Sequence, residues 1–125
     1  MNEPLRLFLV EDDDDIAFLM RKSLERAGHS VTVCHAGADA LIVLSHSQFH
    51  LALLDQKLPD MSGTDLLEGF AREGITTPVL MVTGVGDEKL ASQVMRAGAL
   101  DYIAKDRALT FLTEREPTYV WLTRL

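Results

Sequence analysis

The sequence predicts an α/β fold in which five parallel strands form one doubly wound sheet with helices on both faces. Three observations predict it. Short apolar runs alternate five times with longer, more polar ones. Glycines stand where amphipathic runs end, at Gly28, Gly74 and Gly98. Residues able to do chemistry fall at the ends of the apolar runs, not within them. Repeated strand–helix alternation requires right-handed crossovers between parallel strands, which puts helices on both sides of the sheet.

Leu5–Val10 is short, apolar and β-prone, the pattern of a buried strand. Ile16, Leu19, Met20 and Leu24 follow at helical spacing, with Arg21, Lys22, Glu25 and Arg26 on the other side. Gly28 stops that helix. Val31–Cys34 reads as a second strand and Ala38–Leu44 as a short helix. Leu51–Leu54 is a third strand, ending at Asp55. Pro59 and Gly63 mark a turn, and Ser62 or Thr64 can cap a helix carrying Leu66, Leu67 and Phe70. Pro78–Val82 is a fourth strand, ending at Thr83. Leu90, Val94 and Met95 mark a fourth helix, and Tyr102–Ala104 a fifth strand ending at Lys105. The two apolar stripes, Leu66/Leu67/Phe70 and Leu90/Val94/Met95, read as core. Pro117 fits the first turn of a last helix over residues 117–125. That helix is short and ends on Val120-Trp121-Leu122, so the natural chain is expected to continue, or this face to meet a partner. The whole span 1–125 reads as one domain.

Composition narrows the function. A net charge of −7 argues against gripping nucleic acid or an anionic membrane by charge. No apolar stretch is long enough to span a bilayer, and the N-terminus lacks a signal peptide's pattern. A single cysteine, Cys34, allows no internal disulfide and fits a reducing cytosol. The expected location is the cytoplasm. His29, His35, His46 and His50 show no metal-ligand spacing and read as surface or strand-edge residues.

The acidic run Glu11-Asp12-Asp13-Asp14-Asp15 directly follows the first strand. Two unit charges about 4 Å apart repel by about 4 kcal/mol at an effective dielectric of about 20, so part of this run needs a counter-charge. In an open parallel sheet, ligands collect beyond the carboxyl ends of the strands. Glu11 and Asp12, Asp55, Thr83 and Lys105 all fall on that edge. Carboxylates with a neighbouring backbone carbonyl make a hard oxygen site of the kind Mg²⁺ prefers. Lys105 is a compact cation suited to a phosphoryl oxygen, Thr83 offers a hydroxyl, and Asp55 is a candidate nucleophile, since carboxylates form aspartyl phosphates. Asp14 and Asp15 suit a first helical turn, where the macrodipole favours them. Asp13, nearest the site, stays open between the two roles.

Four segments carry a resemblance: Leu9-Val10-Glu11-Asp12-Asp13, Leu53–Gly63, Pro78–Gly84 and Gly98–Lys105. In that order and at those strand ends, the chain resembles the receiver domain of two-component response regulators, over essentially its whole length to about Asp106. The resemblance implies a flavodoxin-like, CheY-like (βα)5 fold. It implies that Asp55 is phosphorylated by a histidine kinase or histidine phosphotransfer protein. It further implies Mg²⁺ held by Asp12, Asp55 and the backbone carbonyl of Lys57, with Glu11 assisting through water. Thr83 and Tyr102 match the family's switch pair. A downstream output domain or protein is the implied recipient, and a homodimer stays open. Such a domain catalyses only its own phosphorylation and dephosphorylation, so it is not an enzyme in the ordinary sense.

Three departures stand beside the match. Asp106 replaces the family's proline, and a trans peptide is expected there because a non-proline cis bond costs about 2.5–4 kcal/mol. Gly84 and Gly86 are expected to make the Thr83–Asp87 loop mobile. Arg107–Leu125 matches poorly. The main alternative function is a phosphorylation-independent interaction module on the same fold. A magnesium phosphohydrolase using Asp13-x-Asp15 lacks its partner residue at the expected spacing and an obvious cap domain. A flavodoxin-like cofactor carrier lacks a phosphate-cradling loop after the first strand.

Overall fold

The computed structural model describes residues 4–83 and 88–104. Five strands and four helices alternate: β1 (Arg6–Val10), α1 (Asp14–Arg26), β2 (Ser30–Cys34), α2 (Gly37–His46), β3 (Leu51–Asp55), α3 (Gly63–Arg72), β4 (Val79–Thr83), α4 (Glu88–Arg96) and β5 (Asp101–Ala104). All pairings are parallel and the order is β2-β1-β3-β4-β5. The expected sheet is therefore present. The last-helix expectation at 117–125, the Thr83–Asp87 loop beyond its first residue, Lys105 and the Lys105–Asp106 peptide lie outside the described residues.

Strand side chains alternate between the two faces, and each face builds its own core. Leu7, Leu9, Leu51, Leu53, Leu80 and Val82 pack against Ala17, Met20 and Leu24 of α1. Phe8, Val10, Ala52, Leu54, Val79 and Met81 pack against α2, α3 and α4. The central strand β3 is buried throughout, which explains its unbroken apolar run.

The helix faces correct two expectations. Leu19 is 52% exposed and Phe18 58%, so the buried stripe of α1 is Ala17, Met20 and Leu24. At 100° per residue only one narrow stripe meets the sheet, and Leu19 falls on its flank. Phe18 lies beneath the Lys22 ammonium, 5.5 Å from nitrogen to ring centroid. Met95 of α4 is 44% exposed, beside the fully buried Val94, and is not core.

The start of α1 has Asp14 and Asp15 in its first turn, as expected, and settles the open role of Asp13. Its N-cap is Asp13, whose carboxylate accepts from the N–H groups of Asp15 (2.9 Å) and Ile16 (3.0 Å). Gly28, Gly74 and Gly98 follow their helices with φ of +99°, +71° and +109°, a region other residues enter at a cost.

His35, His46 and His50 are exposed, as expected, but His29 departs from the surface or strand-edge reading. It is only 5% exposed, in the turn between α1 and β2. Its Nδ1 accepts the N–H of Leu5 at 3.1 Å, which ties the entry of β1 to that turn. Burial pushes its pKa below the ordinary value of about 6.5. The unfolded chain then binds the proton more readily than the folded one. Stability from the neutral ring is thus complete above the unfolded pKa and declines as pH falls below it. We expect the urea midpoint of the wild type to drop between pH 7.5 and pH 5.5. The His29→Asn variant, whose amide oxygen can replace Nδ1, should lose most of that dependence. An equal drop in both proteins would rule out His29 as the source.

Candidate functional site

The strand order reverses at β1, which has β2 on one side and β3 on the other. The crossover through α1 leaves on one face and that through α2 on the other. This divergence opens a crevice beyond the carboxyl ends of β1 and β3, where ligands of open α/β sheets bind. Glu11 and Asp12 stand at the end of β1, and Asp55 is the last residue of β3.

One carboxylate oxygen from each of Glu11, Asp12 and Asp55 falls within 4.8 Å of the others. Glu11 is 1% exposed and Asp55 4%, while Asp12 is open to solvent. The local backbone explains the placement. The Glu11 N–H continues the sheet ladder to the Cys34 carbonyl at 3.0 Å. Its Oε2 accepts the Asp13 N–H at 3.1 Å. The His35 Nδ1 lies 2.9 Å from the Glu11 carbonyl oxygen and 3.8 Å from an Asp14 carboxylate oxygen, bracing the acidic turn from β2. The Asp55 Oδ1 accepts the Lys57 N–H at 3.3 Å.

Lys57 opens a short closed loop. It bridges to Ser62, the Leu58 N–H donates to the Met61 carbonyl, and the Gly63 N–H donates to the Gln56 carbonyl at 2.8 Å. Ser62 Oγ then caps α3 by accepting the Asp65 N–H at 3.0 Å, which decides between the two expected capping residues. Gly63 begins α3 against the strand: a Cβ there would sit 2.8 Å from the Asp55 carbonyl oxygen.

Three side chains to which the sequence reading gave no part in the site support this loop: Gln56, Thr64 and Asp60. Gln56 and Thr64 exchange side-chain hydrogen bonds at 3.1 and 3.2 Å. The Asp60 carboxylate accepts from the backbone N–H groups of Ala38 and Gly37, each at 2.9 Å. Those bonds hold its carboxyl below the usual range. Nothing local in the sequence signals the Asp60 contact, because its partners lie 22 and 23 residues upstream.

Thr83 ends β4, and its backbone is in register with Ala104 of β5. Tyr102 lies in β5, half-buried against the α2–α4 face of the sheet. The donor set fits a hard cation. Every candidate donor atom is an oxygen, and two of the three carboxylates, Glu11 and Asp55, are buried.

A 2-1-3-4-5 parallel sheet with three acids at its switch point is a doubly wound α/β module with a candidate site at its carboxyl edge. The chain belongs to the response regulator receiver domain family, whose family model matches residues 7–115. It is 34% identical over 111 residues to the regulatory protein VanRB of Enterococcus faecalis, covering 89% of this chain and 50% of that protein. It is 36% identical over 120 residues to the transcriptional activator protein PfeR of Pseudomonas aeruginosa, covering 96% of this chain and 39% of that one. Among solved structures it resembles a CheY-like response regulator receiver domain protein from Methanospirillum hungatei, with 31% identity and a TM-score of 0.81. That match covers 98% of this chain and 96% of the other. The chain thus spans half or less of the two curated relatives. The fold and family expected from the four matching segments are both present: this is a receiver domain of two-component response regulators, a family of signalling switches. Among the described residues no helix is long and apolar enough to cross a membrane.

Proposed function

We propose that Asp55 accepts the phosphoryl group, and that Asp12, Asp55 and the Lys57 carbonyl hold Mg²⁺, with Glu11 assisting through water. The observation that carries this reading is the meeting of three carboxylate oxygens within 4.8 Å at the carboxyl edge of the sheet. A carboxylate oxygen of Asp55 attacks the phosphorus of a phosphohistidine. The O–P bond forms, the N–P bond breaks, and the electron pair returns to the imidazole of the donor. A bound divalent cation supplies neutralisation of charge on the transferring oxygens.

The remaining residues divide the work. Burial of Asp55 keeps bulk water from one side of the acyl phosphate once it forms. Lys105 pairs with a phosphoryl oxygen as a point charge, and the Thr83 hydroxyl donates to another. Movement of Thr83 toward the phosphoryl group draws Tyr102 inward, shifting the β4–β5 face between two populations. Only the domain's own phosphorylation and dephosphorylation are catalysed. The donor is a histidine kinase or histidine phosphotransfer protein in the cytoplasm. The recipient is an output domain or protein, since the curated relatives are longer regulators.

Incubation with a small phosphodonor and Mg²⁺ should add the mass of one phosphoryl group, and chelating the metal should prevent it. The Asp55→Asn variant should gain nothing. Equal labelling of wild type and variant would assign the phosphoryl group elsewhere. No labelling of the wild type would favour a phosphorylation-independent module.

A further inference from the structure

We propose that Asp60 is a positioning residue for the metal site, clasping the loop that carries Lys57 to the start of α2. The proposal rests on the reading above, in which the Lys57 carbonyl is a metal ligand.

The clasp is built from both sides. The first N–H groups of a helix have no partner within the helix and need one from outside. The N-cap of α2 is Ala36, which offers no side-chain cap. Asp60 supplies the missing acceptors from the β3–α3 loop, taking Gly37 N–H on Oδ1 and Ala38 N–H on Oδ2. A carboxylate at that helix end also meets the favourable end of the macrodipole. Next to it, Met61 lies against Gly37 so closely that a Cβ on the glycine would be 2.6 Å from its Cγ and Sδ. The loop tip is therefore held to α2 by two charge-assisted hydrogen bonds and by packing.

The other end of the loop is fixed at the site. Lys57 and Ser62 bridge at the loop's base, and the Lys57 N–H bonds to Asp55 Oδ1. A short closed loop pinned at tip and base cannot rotate one peptide without disturbing the other bonds. Groups that orient a ligand in this way typically change metal affinity 10- to 100-fold when removed.

A helix cap and a loop clasp are separable. Asp60→Ala removes both. Adding Ala36→Asp should restore the cap from within α2, because Ala36 is already in the extended conformation a capping residue uses, with φ −143° and ψ 154°. It cannot restore the link to the loop. Mg²⁺ affinity by titration calorimetry and amide exchange of Leu58 and Gly63 without metal should be measured on all three proteins. Asp60→Ala should weaken Mg²⁺ binding about tenfold and speed exchange at both amides. The Asp60→Ala/Ala36→Asp protein should recover thermal stability but keep the weakened affinity and fast exchange. Affinity within twofold of wild type in Asp60→Ala, or full recovery in the double variant, would overturn the proposal. A wild type that binds no Mg²⁺ would sink the metal reading itself. Unchanged exchange at Leu58 and Gly63 would sink the clasp independently.

Discussion

Replacing Gly63 with alanine should destabilise the domain by about 2 kcal/mol and weaken phosphorylation of Asp55 in the molecules that still fold. An ideal Cβ at this position would lie 2.5 Å from Met81 Cε, 2.8 Å from the Asp55 carbonyl oxygen and 3.0 Å from Gln56 Cα. The methionine end is flexible, but Met81 is fully buried in a packed core and has little room to yield. The other two atoms are backbone. Relief therefore requires α3 to move away from β3, or the end of β3 to move away from α3. Overpacking of this kind costs about 1–3 kcal/mol, and better helix propensity of alanine returns at most about 1.

The second route of relief displaces Asp55 itself, so the chemistry should suffer along with the stability. Gly37→Ala is the internal control. Its added Cβ would also meet atoms at 2.6 Å, but they belong to the half-buried Met61 side chain, which can swing aside. Urea titration of both variants checks the contrast. If Gly63→Ala costs no more than Gly37→Ala, backbone approach is not what requires glycine at the start of α3.

How far the sequence reveals this site follows from the geometry of parallel sheets. Every strand ends on the same edge, so reading off the residue after each apolar run collects Glu11, Asp12 and Asp55 without knowing any distance. Period-2 burial does the same for the core: Phe8 and Val10 against Leu7 and Leu9 fall on opposite faces as alternation requires. Contacts between distant segments are what the sequence hides. Asp60 reads as an ordinary turn residue until α2 is seen beside it. His29 reads as a polar residue after a helix until the Leu5 N–H is found on its ring. Leu19 and Met95 misled for a different reason. Helical spacing identifies an apolar side of a helix, but only the packed structure shows how wide a stripe the sheet covers, and neighbours one position off that stripe stay exposed.

The acidic run also separates into parts with different electrostatic consequences, and Mg²⁺ should expose the difference. At 100 times its dissociation constant, a ligand that binds only the folded state adds about 2.7 kcal/mol of stability. For a domain of this size that corresponds to a rise in melting temperature of roughly 10 °C. Two effects would combine in a Mg²⁺ response of the wild type: new oxygen–metal contacts, and relief of repulsion among carboxylates whose oxygens lie within 4.8 Å. Asp12→Ala should therefore abolish most of the Mg²⁺-dependent rise. Its effect without the metal should be small or stabilising, because one member of the repelling group is gone. Asp15→Ala should behave in the opposite way. Asp15 sits in the first turn of α1, with its N–H on the Asp13 cap, so its loss should cost about 0.3–1 kcal/mol of dipole stabilisation with or without Mg²⁺. Thermal melts of the three proteins with Mg²⁺ and with chelator give the three Mg²⁺-dependent rises and the two metal-free effects needed. An Asp12→Ala protein that keeps the wild-type rise would remove Asp12 from the metal site. An Asp15→Ala protein that loses the rise would mean that α1's first turn, and not the strand end, holds the cation.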